Sequence, residues 1–212
     1  GLRALRGALR QIGHQGGERE MTKNIMIAGV GGQGTLLASK LLGSLLIGQG
    51  YDVKVSEVHG MAQRGGSVVT YVRYGERVAS PIIDRGEADI LVAFELLEAA
   101  RWAEYLRPEG VLIANTQQIL PMPVITGAAV YPEDLAERLR EGCGRAVLVD
   151  ALAPAEEAGS AKAVNVVLMG ILSTVLGIPE AAWMAALERQ LKPALVEMNK
   201  KAFYIGRAMA ER

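Results

Sequence analysis

Six residues, Gly29-Val30-Gly31-Gly32-Gln33-Gly34, stand between the apolar run Asn24 to Ala28 and a leucine-rich stretch that opens at Thr35. Glycines at this spacing allow a tight turn and let backbone N–H groups approach an anion. A helix starting there adds its partial positive charge. On that reading Gly29, Gly31, Gly32, Gln33 and Gly34 cradle a phosphate or nucleotide; the alternative is that the glycines only let helix pack closely on strand. They do not make a Walker loop. With Gly29 and Gly34 in its register, Thr35 occupies the place of the lysine that must reach the phosphates, which argues against triphosphate hydrolysis. Glu57, near the end of the next strand-like run, is spaced to meet a ribose as in a dinucleotide enzyme, although any exposed strand-end glutamate would look the same.

A second glycine-bracketed loop runs from Val58 to Ser67 and contains His59, Arg64, Gly65 and Gly66. Arg64 beside two glycines can present a guanidinium next to exposed backbone donors, a receptor for phosphate or carboxylate, or it can be a solvated turn. His59 titrates near neutrality and could shuttle a proton, or be structural. Asn165 begins an apolar helical stretch and is either a hydrogen-bonding member of the same site or a helix cap. Cys143, between Gly142 and Gly144, has no base close in sequence and reads as a loop thiol.

The elements that must carry these residues alternate. Strands are expected at Asn24 to Ala28, Asp52 to Val58, Ser67 to Tyr74, Ile90 to Phe94, Val111 to Ala114 and Ala146 to Val149. Helices are expected at Thr35 to Gln49, Glu95 to Leu106, and near Pro132 to Glu141. Leu37, Leu41 and Leu45 form the apolar stripe of the first, with Ser39, Lys40 and Ser44 on its other side. Three more follow, at Lys162 to Leu176, Pro179 to Leu191 and Pro193 to Met209, where Trp183, Met184, Leu187 and Leu191 fall at helical spacing as core or interface. The pattern predicts an α/β domain: a mostly parallel open sheet with helices on both faces, Rossmann-like, finished by a helical C-terminal segment. Both glycine loops should then lie at strand C-terminal ends, where open sheets bind ligands. A loop, not a helix, follows the second strand, unlike an ordinary dinucleotide domain. Residues 1–20, arginine-rich and weakly periodic, are set aside as a disordered leader or upstream start, with a basic docking arm as the functional alternative, and 21–212 as a single domain.

Composition removes several classes. Of 212 residues half are hydrophobic, and 23 basic residues balance 23 acidic ones, so no global field favours nucleic acid or an anionic membrane. Aromatic residues, at 5%, are too few for base-stacking platforms. One cysteine excludes an internal disulfide and a cysteine-held iron–sulfur cluster, and two distant histidines give no zinc spacing. The uncharged run Ala163 to Pro179 is too short and too interrupted for a membrane span, and no signal peptide opens the chain, so the expected compartment is the cytoplasm.

GVGGQGTLLASKLLG at Gly29–Gly43 together with SEVHGMAQRGGSVVTYVRYG at Ser56–Gly75 resembles the gamma domain of the 2-oxoacid:acceptor (pyruvate:ferredoxin/flavodoxin) oxidoreductases. The likeness extends from Met21 to Arg212 and includes NVVLMG at Asn165–Gly170. The wording HGMAQRGG is closer to the indolepyruvate ferredoxin oxidoreductase beta subunit than to pyruvate-type gamma subunits. The resemblance implies a subunit inactive alone. Its enzyme would turn an arylpyruvate, coenzyme A and oxidised ferredoxin into an aryl-acetyl-CoA, carbon dioxide and reduced ferredoxin. Thiamine diphosphate, magnesium and [4Fe-4S] clusters would sit on a larger partner subunit, since this chain lacks the Gly-Asp-Gly thiamine signature and the cysteines. Its own share would be assembly and coenzyme A binding by Gly29, Gly31–Gly34, Arg64, Gly65, Gly66 and Asn165. Other readings are a pyruvate- or 2-oxoglutarate-type gamma subunit, a stand-alone NAD(P) oxidoreductase using Glu57, or a pure assembly protein.

Overall fold

The computed structural model describes residues 22–58 and 66–210. The chain alternates as the apolar runs require. β1 (Lys23–Val30) leads through the glycine turn to α1 (Thr35–Gly48), followed by β2 (Asp52–Val58), β3 (Ser67–Gly75) and β4 (Ala88–Ala93). Next come α2 (Leu96–Trp102), β5 (Leu106–Asn115), the single turn α3 (Met122–Ile125), α4 (Leu135–Gly142), β6 (Arg145–Val149) and α5 (Leu152–Ala158). Three longer helices end the chain: α6 (Val164–Leu176), α7 (Glu180–Gln190) and α8 (Pro193–Ala210). The expected leader lies outside the described residues.

One sheet of six strands has the order β2-β3-β1-β4-β5-β6. β1, β4, β5 and β6 pair in parallel, whereas β3 is antiparallel to both of its neighbours. The reversal of β3 follows from the connection: a short loop can return a strand antiparallel, while a parallel return needs a crossover helix. β2 consequently runs with the parallel strands. The C-terminal ends of β1, β2, β4, β5 and β6 and the start of β3 share one edge.

Both faces are covered. Ile25 and Ile27 point into a core shared with α1, α6, α7 and α8, while Met26 and Ala28 face one built with α2 and α4. This two-sided burial explains why β1 reads as an unbroken apolar run. Trp183 and Phe203 are fully buried with ring centroids 5.4 Å apart, and Leu187 joins them, so that apolar group is core. Against α6, α8 packs backbone to backbone: a Cβ added to Gly206 would lie 2.0 Å from the Val167 carbonyl oxygen, and one on Gly170 would lie 2.1 Å from that of Phe203. Among the described residues no single helix is long and apolar enough to cross a membrane.

Candidate functional site

The glycine turn is held in place from three sides. Gln33 folds its side chain back so that Oε1 accepts the Val30 N–H at 2.7 Å, and its Nε2 donates to the Phe94 carbonyl at 2.9 Å. That clamp ties the end of β1 to the end of β4. Gly29 sits within β1, opposite Val68, and leaves the clamp room: a Cβ there would stand 3.0 Å from Gln33 Oε1. Gly34 has φ +87°, a conformation that disfavours any side chain, and its missing Cβ would meet the Asn165 amide at 2.7 Å. Asn165 is buried behind the turn in the first turn of α6. Its Oδ1 accepts the N–H of Val166, so it does not cap α6, which has no side-chain cap at its N-terminus.

The Gly31 N–H donates to the Gly66 carbonyl at 2.9 Å, which joins the two glycine loops at one edge of the sheet. This bond occupies a donor that the sequence offers to an anion. Gly31, Gly32 and Gly34 remain as lining of a cleft of about 560 Å³, with Thr35, Lys40, Glu57, Val58, Val68 and Thr70 around it. α1 opens into this cleft with no side-chain cap and no acid in its first turn, so none of its own side chains offsets its partial positive end. Lys40 adds a full positive charge. A helix N-terminus, small backbone turns and an ammonium suit a phosphate group. Glu57 is not left to a ribose alone: its Oε1 accepts the Ser39 hydroxyl at 2.9 Å. That contact buries Ser39, which the helical pattern places on the polar side of α1.

Of the sequence candidates, then, Gly31, Gly32 and Gly34 come together at a cleft, Gly29, Gln33 and Asn165 fix the turn that lines it, and Gly66 ties in the second loop. Arg64, Gly65 and His59 lie outside the described residues. Lys40 is a residue that sequence reasoning assigned to the solvent side of a helix. Its place beside the cleft depends on β2 being the neighbouring strand, which the helical pattern does not contain.

The same edge carries a polar network with no sequence signal. Asn115, fully buried, donates to the Phe94 carbonyl at 3.3 Å and accepts the Ala151 N–H at 3.1 Å, joining β5 to α5. Glu95 and Glu98, both buried, flank the start of α2. The Glu95 side chain accepts the Glu98 N–H at 2.8 Å, which caps α2. Glu98 receives the Ser67 hydroxyl and Arg101 Nε. Tyr131 donates to Glu95 at 2.7 Å; burial first, then this carboxyl group, push its phenol well above the ordinary value of 10. Burial likewise raises the Cys143 thiol, far from the cleft, keeping it protonated and unreactive at neutral pH. No group of three or more His, Cys, Asp or Glu that could hold a metal ion occurs among the described residues.

Known proteins resemble this chain in sequence and in fold. The family model for pyruvate ferredoxin/flavodoxin oxidoreductase matches residues 24–209. The chain belongs to that family. It is 40% identical over 188 residues to indolepyruvate oxidoreductase subunit IorB of Thermococcus kodakarensis, covering 86% of this chain and 93% of that protein. The fold matches pyruvate oxidoreductase subunit PORC of Thermotoga maritima with a TM-score of 0.68 at 22% identity, over 88% of this chain and 96% of that one. It also matches part of the 2-oxoglutarate:ferredoxin oxidoreductase of Magnetococcus marinus with a TM-score of 0.70 at 20% identity. That match covers 92% of this chain but 32% of the other. By family this is a subunit of a 2-oxoacid:ferredoxin oxidoreductase, as the motifs imply, and the stand-alone dinucleotide enzyme gives way to it.

Proposed function

We propose that this chain is the coenzyme A-binding and assembly subunit of an arylpyruvate-type, indolepyruvate-using 2-oxoacid:ferredoxin oxidoreductase, working in the cytoplasm beside a larger subunit. In that reaction the bond between the carboxylate and the oxo carbon breaks and carbon dioxide leaves. Two electrons pass to ferredoxin, and the acyl carbon joins the coenzyme A sulfur as the thiol proton is released. The observation that carries the reading is the 40% identity running through 93% of an indolepyruvate oxidoreductase subunit.

Thiamine diphosphate with its magnesium supplies the decarboxylation chemistry, and [4Fe-4S] clusters supply the path to ferredoxin; both are assigned to the partner. A single cysteine in the whole chain supports that assignment for the clusters. For coenzyme A the support is local. The phosphates fit the uncapped start of α1, with Lys40 to pair a charge and Gly31, Gly32 and Gly34 keeping the backbone close. The Magnetococcus enzyme, of the same fold over this unit, was solved with coenzyme A bound. Arg64, Gly65 and Gly66 are proposed to complete the phosphate contacts.

The test is steady-state kinetics on the two-subunit enzyme with indolepyruvate. Arg64→Ala should raise the KM for coenzyme A by roughly tenfold or more, the size expected for one lost charge-assisted contact, with the KM for indolepyruvate unchanged. An unaltered coenzyme A KM would remove Arg64 from the site.

A further inference from the structure

The connection between β5 and α4 combines exposure with an absence of charge. From Gly110 to Pro132 the sequence contains no Asp, Glu, Lys or Arg. The β5 part of that run is core, but beyond it Leu120, Met122, Ile125 and Val130 are exposed, Met122 by 66% and Val130 by 84%. Exposed apolar side chains gathered along one uncharged segment mark a surface that something covers.

This segment is also firmly built. Buried Glu95 holds both of its ends on one oxygen: Oε1 accepts the Ile119 N–H at 3.0 Å and the Tyr131 hydroxyl at 2.7 Å. Between those anchors the Val124 N–H donates to Pro121 and the Ala129 N–H to Pro123, each at 2.9 Å. The result is a compact loop with its ends together, a fixed ridge and not a slack connection. The other oxygen of the same carboxylate caps α2, so the loop is fixed to the start of that helix.

Resting on the subunit reading above, we propose that this ridge is the surface on which the thiamine-bearing subunit docks, through an apolar, uncharged face of that subunit. Continuity selects this occupant. The Leu96 N–H donates to the Gln117 carbonyl at 3.0 Å, and the Gln33 amide of the glycine turn reaches Gln117 Oε1 at 3.4 Å. The ridge is therefore joined to the glycine turn that lines the cleft, and a subunit seated on it lies at the edge where coenzyme A is proposed to bind. The fold match to about a third of a longer oxidoreductase chain shows the same unit joined covalently to the rest of an enzyme. Depletion of charge is the mark of an interface core, and the run from Gly110 to Pro132 carries none.

The chain and its thiamine-bearing partner, purified separately, would be titrated against each other. Met122→Glu and Ile125→Glu should each weaken association on the order of tenfold or more, with the thermal midpoint of the free chain unchanged because both positions are exposed. Leu195→Glu, an exposed apolar position on α8, should leave association unaltered. Ridge variants that bind like wild type would overturn the ridge while the subunit reading stands. A wild-type chain that fails to bind the partner at all would overturn both. Self-association abolished by Met122→Glu would assign the ridge to a second copy and overturn the proposal.

Discussion

At the scale of single residues, Gly34 and Asn165 decide how the turn closes. The backbone at Gly34 is left-handed, and the space its Cβ would fill belongs to the Asn165 amide. Gly34→Ala should therefore lose about 1–3 kcal/mol, part from the positive φ and part from the contact. The two parts separate in a double-mutant cycle. Asn165→Ala removes the obstacle but not the backbone strain, so the double variant should be less destabilised than the sum of the singles, measured by urea unfolding. Strict additivity would mean that the amide is not what Gly34 makes room for. The glycine pattern made the turn legible from sequence. It could not show that Gln33 is a clamp, nor that the Gly31 N–H is engaged by Gly66, because both depend on residues brought in from other strands.

At the scale of elements, periodicity located every strand and each helix longer than one turn except α5, since burial on two faces leaves apolar runs and burial on one leaves stripes. Direction was harder. A mostly parallel sheet is what the alternation suggests, yet β3 runs antiparallel, and only the shortness of the loop before it carries that information. The close approach of α6 and α8 was equally hidden, because a helical glycine looks like a weak point until its neighbour is known. Its consequence is measurable. Ala for Gly in a helix ordinarily stabilises by about 0.5–1 kcal/mol. Gly206→Ala should do the opposite and cost about 3 kcal/mol or more, since the new Cβ meets backbone at Val167 that has no room to yield. Gly142→Ala, at the end of α4 with nothing within 4 Å, serves as the matched control and should show no such loss. Equal effects at the two sites, by thermal or denaturant unfolding, would contradict the packing described for α8.

At the scale of the whole molecule, what matters is how the chemistry is divided. The edge of the sheet offers a cleft with a positive helix end and a lysine, and beside it an uncharged ridge held by a buried carboxyl group. The first is suited to hold an anionic co-substrate and the second to meet another subunit. Cys143, the one thiol, is pushed by burial toward its protonated form, which is the wrong state for a metal ligand. The partition proposed above can be measured directly. Purified alone, the chain should contain neither iron nor thiamine, by metal analysis and by fluorescence assay of the extracted cofactor. Mixed with the larger subunit, it should enter a complex whose iron and thiamine per large subunit match those of the large subunit alone, while turnover of indolepyruvate with coenzyme A appears only in the mixture. Iron or thiamine that follows this chain through separation of the subunits would place redox or decarboxylation chemistry where the residues give it no support.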